Sequence, residues 1–105
     1  MRRDWWRNMT IVIDREFAAL IPPLSSDELT GLEASLKAEG CRDALVVWKT
    51  GTVILDGHNR KRICDRLKIK YRTTTIDLPD REAAEDWIES NQLSRRNLTK
   101  DQRDL

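Results

Sequence analysis

The residues best suited to chemistry stand together in one turn, Asp56-Gly57-His58-Asn59-Arg60. An apolar run ends at Leu55 and a helical pattern begins at His58 or Asn59, so the turn joins a strand to a helix. The start of a helix leaves backbone N–H groups unpaired. Together with the helix dipole they attract anions, phosphate above all. Gly57 lets the backbone approach a ligand closely. Asn59 can cap the helix, and Arg60 can fork onto phosphate oxygens. The same five residues also suit a plain capped turn ahead of a solvated basic helix.

Other chemistries are poorly supplied. His58 is the only histidine, which excludes a zinc site or a dyad with a second histidine. No pair of carboxylates stands out as general acid and base. Cys41 and Cys64 fit neither a disulfide framework nor a metal spacing, and read as reduced, cytosolic thiols. Cys64 falls on an apolar stripe, the place of an inert buried thiol. Cys41 follows Gly40 in a loop, and no motif surrounds it.

The elements that must hold the turn are legible from pattern. Thr10–Ile13 reads as a first strand, and Arg15–Ile21 as a helical turn stopped by Pro22-Pro23. Ser25 and Glu28 form a capping box for a helix with Leu29, Leu32 and Leu36 on one stripe and Gly40 as its C-cap. Gly31 inside that helix suggests a close helix contact. Leu45–Trp48 and Thr52–Leu55 read as a β-hairpin around Lys49-Thr50-Gly51. The helix after the turn reaches Leu67, with Arg60, Ile63, Cys64 and Leu67 on one stripe, and Tyr71–Ile76 is another strand. Pro79-Asp80 opens a helix to about Asn91, with Ala83, Ala84, Trp87 and Ile88 facing inward. Ser94–Asn97 is polar and basic, and Thr99 with Gln102 forms a second capping box. The expectation is an α/β (α+β) domain, a small mixed sheet with packed helices. It divides into an arm at 1–9, a domain at 10–98, and at 99–105 the start of a helix leading to a further region.

At 105 residues, 39% hydrophobic and 35% charged, the chain has material for one domain. No stretch approaches a membrane span and nothing resembles a signal peptide, so a cytoplasmic protein without a membrane partner is expected. The net charge of +1 hides a segregation. From Arg60 to Arg72, seven basic residues are opposed by Asp65 alone; from Asp77 to Glu89, six acidic residues face Arg81 alone. This builds an anion-attracting surface beside an acidic one, or two helix faces that pair with each other. Near the start, Arg2, Arg3, Trp5, Trp6 and Arg7 could stack on bases or rest on lipid, or form a frayed packing arm.

Three segments resemble the ParB/sulfiredoxin superfamily, in family order and spacing. Leu29–Val47 is similar to the ParB-domain helix that ends in glycine before an apolar strand. Asp56-Gly57-His58-Asn59-Arg60-Lys61-Arg62 resembles that family's Gly-Glu-Arg-Arg-x-Arg box. Asn91-Gln92-Leu93-Ser94-Arg95 resembles its Glu-Asn-x-Gln-Arg segment. Together they cover about Ile11 to Thr99.

The resemblance implies a ParB-like N-terminal domain, of the kind also labelled a ParB-like nuclease. Its nucleotide or phosphate pocket would be formed by Gly57, His58, Asn59, Arg60, Arg62, Asn91, Gln92 and Arg95. ParB proteins bind CTP with magnesium there, and a helix-turn-helix DNA-binding domain follows. DNA would accordingly be reached through a region beyond Leu105, with a homodimer as the switching unit in plasmid or phage partition or transcription regulation. Gly57, Arg60, Arg62 and Arg95 match the family pattern, whereas His58 and Asn59 replace its Glu and first Arg. Asn91, Gln92 and Ser94 replace its Glu, Asn and Gln. Loss of that carboxylate removes a natural magnesium ligand, which points to a binding switch rather than an efficient CTPase. Clustered carboxylates for a two-metal nuclease are missing too. Sulfiredoxins use a Gly-Cys-His-Arg turn, and His58 stands at the cysteine position, so that activity is rejected. Free-serine kinases of the superfamily carry a similar Asp-Gly-His turn and supply the enzymatic alternative. A non-catalytic protein-interaction module is the third.

Overall fold

A computed structural model of the chain describes residues 11–104, the last ten as backbone only. The Trp5-Trp6 arm lies outside the described residues. The order is α1 (Arg15–Ala19), α2 (Ser26–Glu39), β1 (Leu45–Trp48), β2 (Val53–Asp56), α3 (His58–Leu67), β3 (Thr73–Ile76) and α4 (Arg81–Asp104). The fold is mixed α/β.

Local chemistry explains most boundaries. Asp14 caps α1 by accepting from the N–H groups of Glu16 and Phe17 at 2.9 and 3.1 Å. The Ser25–Glu28 box closes α2 in both directions: Glu28 N–H donates to Ser25 Oγ at 3.1 Å, and Ser25 N–H to Glu28 Oε1 at 2.8 Å. Gly40 ends that helix at φ 77°. Of its leucine stripe Leu36 is buried and Leu32 half-buried, while Leu29 stays exposed. A Cβ on Gly31 would meet nothing within 4 Å, so the close helix contact expected there is not made.

β1 and β2 pair antiparallel through the 3-10 turn Thr50–Thr52, and β1 pairs in parallel with β3, giving the order β2-β1-β3. The register slips between Val46 and Val47, where Val46 stands opposite Asp56 but Val47 opposite Ile54. That bulge lies one residue before the chemical turn, a usual position for re-aiming a side chain. Among the described residues, Ile11–Ile13 of the expected first strand make one parallel bridge, Val12 to Val53. Its bonds are Val12 N–H to the Thr52 carbonyl and Ile54 N–H to the Val12 carbonyl, both 2.9 Å. The Asp14 cap turns the chain into α1 two residues later, which leaves no length for a ladder on that side.

The expected break at Ser94–Asn97 is also overturned. α4 runs unbroken from Arg81 to Asp104, with Thr99 inside it rather than at a helix start. Ser94 and Asn97 each cost about 0.5 kcal/mol of propensity, too little without Gly or Pro to stop a cooperative helix.

Strand alternation divides the core between the two sheet faces. Leu45 and Ile54 pack with Leu36, Ile63, Cys64 and Tyr71, which puts α2 and α3 on one face. Trp48 and Leu55 pack with Phe17, Ala84 and Ile88, which puts α1 and α4 on the other. Arg81 ties the second layer together: its guanidinium reaches Asp14 Oδ1 and Glu16 Oε1, each at 2.7 Å, and lies over the Phe17 ring at 4.4 Å.

This layering settles the charge segregation. Basic α3 and acidic α4 sit on opposite sides of the sheet, and no ion pair among the described residues joins them. Arg66 pairs with Glu33, Lys61 with Asp65, and Lys49 with Asp77. Among the described residues no helix is long and apolar enough to cross a membrane.

Candidate functional site

β2 delivers Asp56, buried, to the edge of the sheet, and Gly57 turns the chain into α3 at φ 103° and ψ 25°. Glycine is required there twice over. The left-handed φ excludes an ordinary side chain, and a Cβ would collide with Leu45 Cδ2 while coming within 3.0 Å of Arg60 Nη2. The first bond inside α3 runs from Lys61 N–H to the Gly57 carbonyl at 2.8 Å. Ahead of it, the amides of His58, Asn59 and Arg60 have no helical carbonyl four residues back.

A cavity of about 290 Å³ opens at this helix start. Its polar side is Asp43, Asp56, Gly57, His58, Asn59, Arg60 and Gln92; its apolar side is Ile21, Leu24 and Leu32. That volume lies just under the usual range for small-molecule sites, and the wall is more polar than is usual for them. A second cavity of about 250 Å³ lies next to it and shares Leu32, Asp43 and Arg60.

Arg60 is engaged rather than extended. Nη1 donates to the Asp43 carbonyl at 2.9 Å, and Nη2 lies 3.6 Å from Asp56 Oδ2. The guanidinium therefore folds over the Gly57 turn, forming a wall shared by the two cavities. It still holds further N–H donors, since one hydrogen bond uses one of its five.

His58 is 2% exposed, and neither ring nitrogen has a hydrogen-bond partner among the described residues. Burial, helped by the nearby Arg62 charge and opposed by Asp56, pushes its pKa down to about 4. The ring is thus neutral at pH 7, and both of its nitrogens are shielded from solvent. Cys64 is fully buried, and burial first, then Cys41, pushes its thiol up to about 12, as an inert core residue requires.

Of the eight residues expected at the site, the structure brings Gly57, His58, Asn59, Arg60 and Gln92 around one cavity. Arg62 is exposed on α3 and does not line it. Its four-residue offset places it one turn beyond His58. Asn91 does not line the cavity either, and its Nδ2 is buried without a partner among the described residues. Arg95 belongs to α4, and its side chain lies outside the described residues.

Asp43, Asp56, Ile21, Leu24 and Leu32 also line the cavity, beyond the site residues expected from the motif. Asp56 stood inside the motif. Asp43 acts through its main-chain carbonyl, which no side-chain pattern can announce. No three His, Cys, Asp or Glu residues among those described gather into a metal site.

Chemically, the cavity offers one helix start, one guanidinium and two aspartates, Asp43 exposed and Asp56 buried, facing a leucine-isoleucine wall. This suits a small ligand with an anionic end and a flat or apolar body. A scan against protein-family models and searches of curated proteins and of solved structures return no match.

Proposed function

We propose that the chain is a ParB-like nucleotide- or phosphate-binding domain of a DNA-associated protein, serving partition or transcription regulation as a binding switch. What carries the reading is the α3 start opening into a cavity whose wall holds the Arg60 guanidinium. Phosphate oxygens would accept from the amides at the α3 start and from the guanidinium. The Ile21–Leu24–Leu32 wall would hold the face of a base.

The Asp56 carboxylate opposes an incoming phosphate and competes for Arg60. A magnesium ion carried by the nucleotide would relieve this, because Asp56 is an oxygen ligand already beside the seat. With two aspartates in the lining and no cluster of three ligating residues among those described, binding is favoured over turnover. A thermal-shift and calorimetric panel of nucleoside triphosphates, with and without magnesium, tests the reading. Selective stabilisation by a triphosphate is expected, and no response to any nucleotide refutes it.

Asp56 also favours one second reading. A buried carboxylate beside a phosphate seat could accept a proton from a substrate hydroxyl, as a small-molecule kinase needs. Transfer of labelled phosphate from ATP or ADP to free serine would select that reading over the switch.

A further inference from the structure

A groove between α2 and α3 encloses about 420 Å³ and shares no lining residue with the cavity at the α3 start. Its floor is apolar, Leu29, Ala34 and Ile63, and Lys37 and Arg66 stand on its rim. Glu33 is the acidic residue in the lining, and it pairs with both Lys37 and Arg66, so the groove carries a net positive charge. Exposed Arg62, Lys68 and Lys70 extend that sign along α3 and past its end.

On the opposite layer, α4 presents a ridge with the reverse character. Glu82, Asp86, Glu89 and Leu93 follow one another at steps of four, three and four residues, and so form one line along the helix. All four are exposed, and Ala84 and Ile88 are buried on the far side. None of the three carboxylates has an ion-pair partner among the described residues. Leu93 is 57% exposed and Leu29 39%, two of the three exposed large hydrophobics among the described residues.

We propose that the α2–α3 groove receives the α4 ridge of a second copy of this chain. Leu93 seats against Leu29, Ala34 and Ile63, while Glu89 and Asp86 face Arg66, Lys37 and Arg62. Acidic and apolar anchors at helical spacing match a basic-rimmed apolar groove, the usual arrangement for a helix held in a groove. Complementary charge selects this orientation, and it excludes polyanions from the ridge. Groove and ridge lie on opposite sheet faces, so one molecule cannot satisfy both. The contact is heterologous, and each added copy leaves a free groove and a free ridge. Its small size makes the association concentration-dependent rather than permanent. This association does not depend on nucleotide binding.

Sedimentation velocity of the 105-residue chain tests it, with Leu93→Arg and Ala34→Arg, both at exposed helix positions, as variants. The wild type should gain mass with concentration at about 0.01 M salt and revert to monomer at about 1 M, where the screening length falls from about 30 Å to about 3 Å. Each variant alone should remain monomeric, because one lacks the ridge and the other the groove. Mixed in equal amounts they should form a one-to-one heterodimer that grows no further. A wild type that is monomeric throughout, or variants that fail to combine, would overturn the proposal. Loss of duplex-DNA binding in Arg66→Glu with a monomeric wild type would assign the groove to nucleic acid and overturn it as well.

Discussion

Arg60 Nη1 donates to the main-chain carbonyl of Asp43 at 2.9 Å, and the same oxygen accepts the Cys41 thiol at 3.5 Å. The loop that follows α2 thus sets the position of the guanidinium at the start of α3. Arg60→Ala should weaken triphosphate binding by about 1–3 kcal/mol, the loss of a charge-assisted hydrogen bond. Arg60→Lys should recover only part of this, because an ammonium cannot span the Asp43 carbonyl and the Asp56 carboxylate as a planar fork does. Calorimetry showing wild-type affinity in Arg60→Ala would remove Arg60 from the site.

Asp56 faces the same guanidinium at 3.6 Å and is buried beside the anion seat. Replacing it with Asn removes a negative charge and frees Arg60 for the ligand. Without magnesium, Asp56→Asn should bind inorganic phosphate or a triphosphate more tightly, by about 1 kcal/mol. With magnesium the order should reverse if the carboxylate ligates the ion. Unchanged affinity under both conditions would show that Asp56 serves the fold alone.

Much of this geometry was written locally in the chain. The Ser25–Glu28 box, the Gly40 cap, the β1 span and the Asp56-Gly57 junction each depend on residues within four positions of one another, and each appears as expected. The failures have a common cause. Leu29 belongs to a good apolar stripe yet stays exposed, because stripe membership does not reveal how far a partner helix reaches. Ser94–Asn97 looks like a break, but the cost of two polar residues is smaller than the cooperativity of the helix around them. The Asp43 carbonyl and the Ile21–Leu24–Leu32 wall come from segments remote from the motif, brought there only by packing. Charge segregation was plain in the sequence, but only the intervening sheet shows why the two stretches do not neutralise each other.

Gly57 combines a left-handed backbone with a Cβ direction filled by Leu45 and Arg60. Gly57→Ala should therefore lower folding stability by about 2–5 kcal/mol, from backbone strain together with overpacking. Gly31→Ala makes the matching control: its Cβ meets nothing, and a helix-interior glycine costs about 1 kcal/mol, so that variant should gain stability. Urea unfolding of both variants checks the contrast. A Gly57→Ala protein as stable as wild type would mean that the turn relaxes freely, and the tight approach of backbone to ligand would lose its basis.

His58 makes stability depend on pH with a definite sign. Its folded pKa is pushed down to about 4, below the ordinary 6.5, so between these values the unfolded chain takes up a proton that the folded chain refuses. Stability should hold above pH 6.5, fall as pH drops toward 4, and level off below, a loss of about 3 kcal/mol at most. The carboxylates of Glu33, held down first by Arg66, and Asp14, held down first by Arg81, contribute separately. Their share is lost only as pH falls past their ordinary values of 4.5 and 3.8. Urea midpoints between pH 7 and 5 therefore isolate the histidine. His58→Gln should flatten the curve over that window. Saturating phosphate should flatten it too, because an anion beside the ring favours the imidazolium and raises the folded pKa toward the unfolded value. A slope that persists in His58→Gln would place the titration elsewhere, and a slope insensitive to phosphate would separate the imidazole from the anion seat.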